Sequence, residues 1–128
     1  MSVCTSRPVL VVDDFKTTIK IVHGLLRQIG FEDLDDAADG ATALQKMRGR
    51  QYGLVISDWN MEPMTGYELL KLVRADAALK GTPFIMITAE SRPENIDAAK
   101  RAGVDNFIIK PFNAETLKGK IVSVLGPF

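Results

Sequence analysis

The feature that most constrains the fold of this chain is a regular alternation of strand-like runs with helical patterns. Five short runs predict strands, at residues 8–12, 33–38, 52–57, 83–88 and 105–109. The first and fourth are continuous, mostly aliphatic runs, which are typical of strands buried on both faces of a parallel sheet. The second is rich in Asp, and we expect it at a sheet edge, where charged side chains discourage unwanted pairing.

A helical pattern follows each run. In the first of them, over residues 15–29, Ile19, Val22 and Leu26 recur at helical spacing, and Gly30 then supplies a C-terminal stop. The later helices begin with capping residues, whose side-chain oxygens can accept hydrogen bonds from free backbone amides. These residues are Asp39, Thr65 with Glu68, Ser91 with Glu94, and Asn113.

Strand–helix units repeated about every 25 residues imply parallel strands joined by right-handed crossovers. We therefore predict an α/β fold, a doubly wound five-stranded parallel sheet with five helices. With the strand order 2-1-3-4-5, the first and third strands are neighbours, and the point where the order reverses falls between Asp13 and Asp58. The length of 128 residues suits a single domain over 1–128, with residues 1–7 as a loose N-terminal arm.

Charge and composition narrow the function classes. Lys plus Arg number 16 and Asp plus Glu also number 16, and the resulting zero net charge argues against nucleic acid as the main partner. We see no signal peptide, and no apolar run approaches the roughly 18 residues that a membrane span needs. Cys4 is the only cysteine, so an internal disulfide is impossible and a reducing compartment fits best. We expect a cytoplasmic protein with no membrane partner.

Polar side chains stand at the carboxyl ends of four predicted strands, where ligands bind in sheets of this kind. They are Asp13 and Asp14 after the first strand, Asp58 after the third, Thr88 at the end of the fourth and Lys110 after the fifth. Carboxylates converging there would repel one another, so a cation should lie between them. Hard oxygen ligands favour Mg²⁺, which commonly shares its coordination sphere with a phosphate.

The same residue types suit phosphoryl transfer to a carboxylate. Asp58 would be the nucleophile, and Asp13, Asp14 and the backbone carbonyl of Asn60 would complete the magnesium ligands. Lys110 and the Thr88 hydroxyl would stabilise phosphoryl oxygens by charge and hydrogen bonding.

The chain resembles bacterial two-component response-regulator receiver domains, and among them the single-domain regulators of the CheY type. The resemblance covers nearly the whole chain and rests on specific motifs. These are residues 9–14, Asp58-Trp59-Asn60-Met61, Gly66, Thr88-Ala89-Glu90, Ala102-Gly103 and Lys110-Pro111-Phe112. It implies the flavodoxin-like, CheY-like fold, with Asp58 as the phosphoacceptor, Mg²⁺ held by Asp13, Asp14, Asp58 and Asn60, and Lys110 in contact with phosphate.

The resemblance also implies a stand-alone signalling switch rather than a dedicated enzyme. The donor would be a histidine kinase or phosphotransfer protein, and Thr88 and Phe107 look like the switch pair. A downstream protein, in chemotaxis or related signalling, would bind the face formed by helix four, strand five and helix five of a monomer. That face carries the basic residues Lys100, Arg101, Lys118 and Lys120. The resemblance further suggests a cis Lys110–Pro111 bond.

Two positions depart from the family pattern. Glu62 stands where the family usually has Pro, with Pro63 following it, which adds a carboxylate near the predicted metal site. The switch position holds Phe107 rather than Tyr, so it has no hydroxyl to offer a partner.

Three other functions stay open on the sequence. The chain could act as a phosphate sink or an intermediate in a phosphorelay. A magnesium-dependent phosphatase would need an Asp-x-Asp motif, whereas the first strand ends in Asp13-Asp14-Phe15. A flavodoxin-like redox protein would need a Gly-rich phosphate cradle, and the first loop is acidic instead.

Overall fold

Strands and helices alternate along the chain in the computed structural model, which describes residues 7–89 and 93–126. The strands are β1 (Val9–Val12), β2 (Leu34–Ala37), β3 (Leu54–Asp58), β4 (Phe84–Thr88) and β5 (Asn106–Ile109). The helices are α1 (Lys16–Ile29), α2 (Gly40–Gly49), α3 (Gly66–Ala75), α4 (Pro93–Ala102) and α5 (Ala114–Leu125). The predicted elements are confirmed, with bounds that differ by one or two residues at most strand ends.

The five strands form one parallel sheet in the order β2-β1-β3-β4-β5, as predicted. The register pairs Val12 with Ser57, Asp58 with Ile87 and Thr88 with Ile109. The carboxyl ends of these strands therefore finish at the same edge. The Asp-rich strand β2 lies at one side of the sheet, where its acidic side chains meet solvent.

Both faces of the sheet are buried, because successive residues of each strand point to opposite sides. On one side, Leu10, Val12, Val55 and other strand residues pack against α2 and α3. On the other side, Val9, Val11, Leu54 and Ile56 belong to a second cluster with α1 and α5. This two-sided burial explains why the first, third and fourth strands read as continuous apolar runs.

The predicted helix ends are confirmed where the structure describes them. Asp39 Oδ1 accepts a hydrogen bond from Thr42 N at 2.7 Å, and Asn113 Oδ1 accepts one from Thr116 N at 2.8 Å. Thr65 and Glu68 form the complete capping box. Gly30 ends α1 with a φ of 124°, which favours glycine. The predicted cap at Ser91 lies outside the described residues.

A side chain that the sequence did not single out ties α3 to the loops entering β4 and β5. Arg74, with 18% of its side chain exposed, donates to the carbonyl oxygens of Thr82 and Gly103 at 2.6 and 2.8 Å. It also pairs with Asp105, whose Oδ2 accepts from Phe84 N at 2.8 Å. These bonds hold the amino ends of β4 and β5 in place, and thereby the position of their carboxyl ends. No helix within residues 7–89 and 93–126 has the length and apolar character needed to cross a bilayer.

Candidate functional site

The site lies at the carboxyl edge of the sheet, where the backbone ladder continues past the strand ends. Asp13 N donates to Ala37 O at 3.1 Å, Trp59 N to Ile87 O at 2.8 Å, and Lys110 N to Thr88 O at 2.9 Å. These bonds fix the chain positions of the predicted site residues relative to one another. Asp58 itself is the last residue of β3 and is buried.

The first residue of α3 packs closely against the backbone of Asp58 and fixes its position. Gly66 N donates to Trp59 O at 2.9 Å, and a Cβ at Gly66 would collide with the backbone carbonyl of Asp58. Glycine is therefore required at the first residue of α3 for the helix to approach the strand end this closely.

A lysine is paired with the buried carboxylate of Asp58. The Lys110 Nζ atom lies 3.0 Å from Asp58 Oδ1, and the side chains are 35% and 6% exposed respectively. Asp58 Oδ1 nevertheless has no aligned hydrogen-bond donor. The two groups thus interact as charges, and this oxygen keeps its capacity to accept or to coordinate.

Asp13 is a second buried carboxylate in the site, only 3% exposed. Its Oδ1 accepts a hydrogen bond from Phe15 N at 2.9 Å, and its Oδ2 has no hydrogen-bond partner. Burial raises the pKa of Asp13 from 3.8 to about 6, opposed by the hydrogen bond from Phe15 and assisted by the negative charge of Asp58. A buried carboxylate that resists ionisation in this way is stabilised by a cation beside it.

The other two predicted magnesium ligands, Asp14 and Asn60, lie at the solvent-exposed rim of the site. Asp14 and Asn60 are exposed and line a cavity of about 840 Å³ together with Glu62 and Thr65. In the part of the chain that the structure describes, no three His, Cys, Asp or Glu side chains are grouped to hold a metal ion. Asp13 and Asp58 are buried, whereas Asp14 is exposed at the rim, so the expected convergence of three carboxylates on a metal ion stays a prediction.

These residues suit a hard cation even so. The buried Asp13 Oδ2 lacks a hydrogen-bond partner, which is costly unless a donor or a cation satisfies it. Asp58 Oδ1 also lacks a hydrogen bond, and only the Lys110 ammonium is paired with it. All the available ligands are oxygens, which is the donor set that Mg²⁺ prefers.

Thr88 and Phe107 line one small void between β4, β5 and α4, with Ile96 and Ala99 on the helix side. Both are partly buried, and the Lys120 Nζ atom lies 5.3 Å from the centre of the Phe107 ring. The predicted switch pair is thus brought together. The other basic residues of this face, Lys100, Arg101 and Lys118, are exposed.

Two features near the site were not predicted. The Trp59 ring stacks on that of Tyr67, with centroids 5.4 Å apart and an interplanar angle of 9°, and the Lys71 Nζ atom lies 5.1 Å from the Tyr67 ring centre. The Glu62–Pro63 peptide bond is cis, as is the Lys110–Pro111 bond that the family resemblance suggested. No residue pattern in the sequence marked the aromatic stack.

Comparison with known proteins identifies the family of the chain. Residues 9–122 match the family described as the response regulator receiver domain. The chemotaxis protein CheY-3 of Vibrio cholerae is 49% identical over 113 residues, covering 88% of this chain and 87% of that protein. The chemotaxis protein CheY of Pseudomonas aeruginosa is 44% identical over 116 residues, covering 91% of this chain and 94% of its own.

A solved structure gives the same result for the fold. Vibrio cholerae CheY4 superposes with a TM-score of 0.87 at 39% identity, covering 94% of this chain and 99% of that one. The chain therefore belongs to the response-regulator receiver domain family and, within it, is similar to the CheY chemotaxis proteins.

Proposed function

We propose that this protein is a stand-alone signalling switch that accepts a phosphoryl group on Asp58 from a phosphohistidine of a histidine kinase or phosphotransfer protein. One observation carries the proposal. The buried carboxylate of Asp58 lies 3.0 Å from the ammonium of Lys110 yet keeps an oxygen with no hydrogen-bond donor. A buried carboxylate beside a cation is suited to attack an anionic phosphorus centre.

The transfer balances without a further reactant. A carboxylate oxygen of Asp58 forms a bond to phosphorus while the bond from phosphorus to the imidazole nitrogen of the donor breaks. The leaving nitrogen keeps the electron pair and is neutralised by a proton. The product is an aspartyl phosphate, a mixed anhydride that water can hydrolyse to the carboxylate and inorganic phosphate.

Asp13 and Asp58, with Asp14 and the Asn60 carbonyl at the rim, would hold Mg²⁺ in this reaction. The ion supplies positive charge that offsets the repulsion between the carboxylates and the incoming phosphoryl oxygens. Lys110 would hold one phosphoryl oxygen by charge, and the Thr88 hydroxyl would donate a hydrogen bond to another.

Phosphorylation would change the population of two arrangements of Thr88 and Phe107. When Thr88 turns toward the phosphoryl group, the ring of Phe107, which lines the same small void, would move inward. The neighbouring face of α4, β5 and α5 would then present a different surface to a downstream protein. The similarity to CheY proteins favours chemotaxis or related signalling as the pathway.

Trp59 offers a direct test, because it follows Asp58 and is partly buried in the site. We expect its fluorescence to change when MgCl₂ is added, and to change again when beryllofluoride, a mimic of the phosphoryl group, is added with Mg²⁺ present. Asp58→Asn should abolish the second change. If beryllofluoride leaves the fluorescence of the wild type unchanged, the proposed function is contradicted.

A further inference from the structure

A carboxylate that is neither a predicted metal ligand nor a helix cap lies beside the site. Glu62 is in the loop from β3 to α3, two residues after Asn60, and its side chain is exposed. It lines the cavity of about 840 Å³ together with Asp14 and Asn60. Its charge therefore faces the same solvent space as Asp14 and Asn60, two of the proposed magnesium ligands.

Among the proposed site residues and Glu62, carboxylates outnumber the one lysine. Asp13 and Asp58 are buried there, and Asp14 and Glu62 stand exposed around them. The pair between Lys110 and Asp58 is the one ion pair that these four carboxylates make with described residues. Glu62 thus adds its negative charge to a surplus that a single lysine does not cancel.

We propose that Glu62 tunes the phosphoacceptor site by charge, attracting the divalent cation and repelling small dianionic phosphodonors such as acyl phosphates. The proposal rests on the proposed function of Asp58. Both effects come from one carboxylate acting through solvent, so they have opposite signs for the cation and the anion. The chain would therefore bind Mg²⁺ more tightly, and react more slowly with small donors, than if residue 62 were neutral.

The size of the effect follows from Coulomb's law. A unit charge about one physiological Debye length, about 8 Å, from a divalent ion in water, with partial screening by salt, changes the affinity for that ion about two- to fivefold. The same charge repels a dianionic donor by an energy of similar size. Screening is weak at an ionic strength of about 0.01 M, where the Debye length is about 30 Å, and nearly complete at about 1 M.

The test compares Glu62→Gln, which keeps the side-chain shape, with Glu32→Gln, which makes the same change of net charge. Glu32 is exposed and precedes β2, so it lies at the amino ends of the strands, away from the carboxyl ends that carry the site. Two quantities are measured at each ionic strength. The first is the Mg²⁺ dissociation constant from Trp59 fluorescence, with MgCl₂ as the only ligand. The second is the rate constant for phosphorylation by acetyl phosphate at saturating Mg²⁺, a reaction that releases acetate.

At low ionic strength, we expect Glu62→Gln to raise the Mg²⁺ dissociation constant and the acetyl phosphate rate constant, each about two- to fivefold. Both changes should vanish at high ionic strength, and Glu32→Gln should show neither. A change in only one quantity, a change that persists at high salt, or an equal change in Glu32→Gln would overturn the proposal. If acetyl phosphate does not modify wild-type Asp58, the proposed function itself fails. If it does, and Glu62→Gln behaves as wild type, this inference alone fails.

Discussion

Asp13→Asn is expected to stabilise the protein in the absence of Mg²⁺ by about 2–3 kcal/mol at neutral pH. The reason is the raised pKa of Asp13, about 6 against an ordinary value of 3.8. A carboxyl group whose pKa is higher in the folded state favours folding when protonated, and this advantage is lost as pH rises from about 4 through about 6. Asparagine carries no charge at any of these pH values, so the free energy of unfolding of the variant does not fall over this pH range for that reason.

Urea denaturation at several pH values in EDTA measures this effect. The free energies of unfolding of variant and wild type should converge near pH 4, separate as pH rises from about 4 to about 6, and keep a nearly constant difference at higher pH. Added MgCl₂ should stabilise the wild type, because the ion binds the folded state, and should stabilise Asp13→Asn much less. Glu115→Gln, a change at an exposed position on α5, is the matched control. A variant that is less stable than wild type at pH 7 without Mg²⁺ would contradict this account of Asp13.

Lys110→Ala is expected to slow phosphorylation of Asp58 by about 10²–10³-fold, the usual effect of removing one charged or hydrogen-bonding group that stabilises a transition state. The Lys110 Nζ atom lies 3.0 Å from Asp58 Oδ1. During transfer, its positive charge would stabilise the negative charge on the phosphoryl oxygens. The rate with a small phosphodonor at saturating Mg²⁺ measures the loss.

Lys118→Ala is the matched control for Lys110→Ala, since Lys118 is exposed on α5 and has no proposed role in the chemistry. Its rate should equal that of the wild type. Circular dichroism should show that both variants are folded. A folded Lys110→Ala variant that is phosphorylated as fast as Lys118→Ala would remove Lys110 from the proposed mechanism.

The fold could be predicted from the sequence because its signals are local and periodic. Apolar runs such as 8–12 mark strands covered on both faces, and cap residues such as Asp39 and Asn113 mark helix starts. Once the strands are parallel, their carboxyl ends must meet. The sequence therefore predicts one edge of the sheet for Asp13, Asp58, Thr88 and Lys110.

The remaining features depend on contacts between residues far apart in the chain or on loop conformation. Arg74 joins Thr82, Gly103 and Asp105, and nothing in its own helix marks it for that role. The exposure of Asp14, beside the buried Asp13, depends on how the loop after β1 turns. Neither property has a periodic signal in the sequence, and the convergence of three carboxylates on a metal ion stays a prediction.

Intact-protein mass spectrometry tests whether Asp58 accepts a phosphoryl group. Wild-type protein and Asp58→Asn are incubated with Mg²⁺ and phosphoramidate, and their masses are recorded before and after. We predict that the wild type gains the mass of one phosphoryl group, that EDTA prevents the gain, and that Asp58→Asn gains nothing. An equal gain in Asp58→Asn, or none in the wild type, would contradict the account.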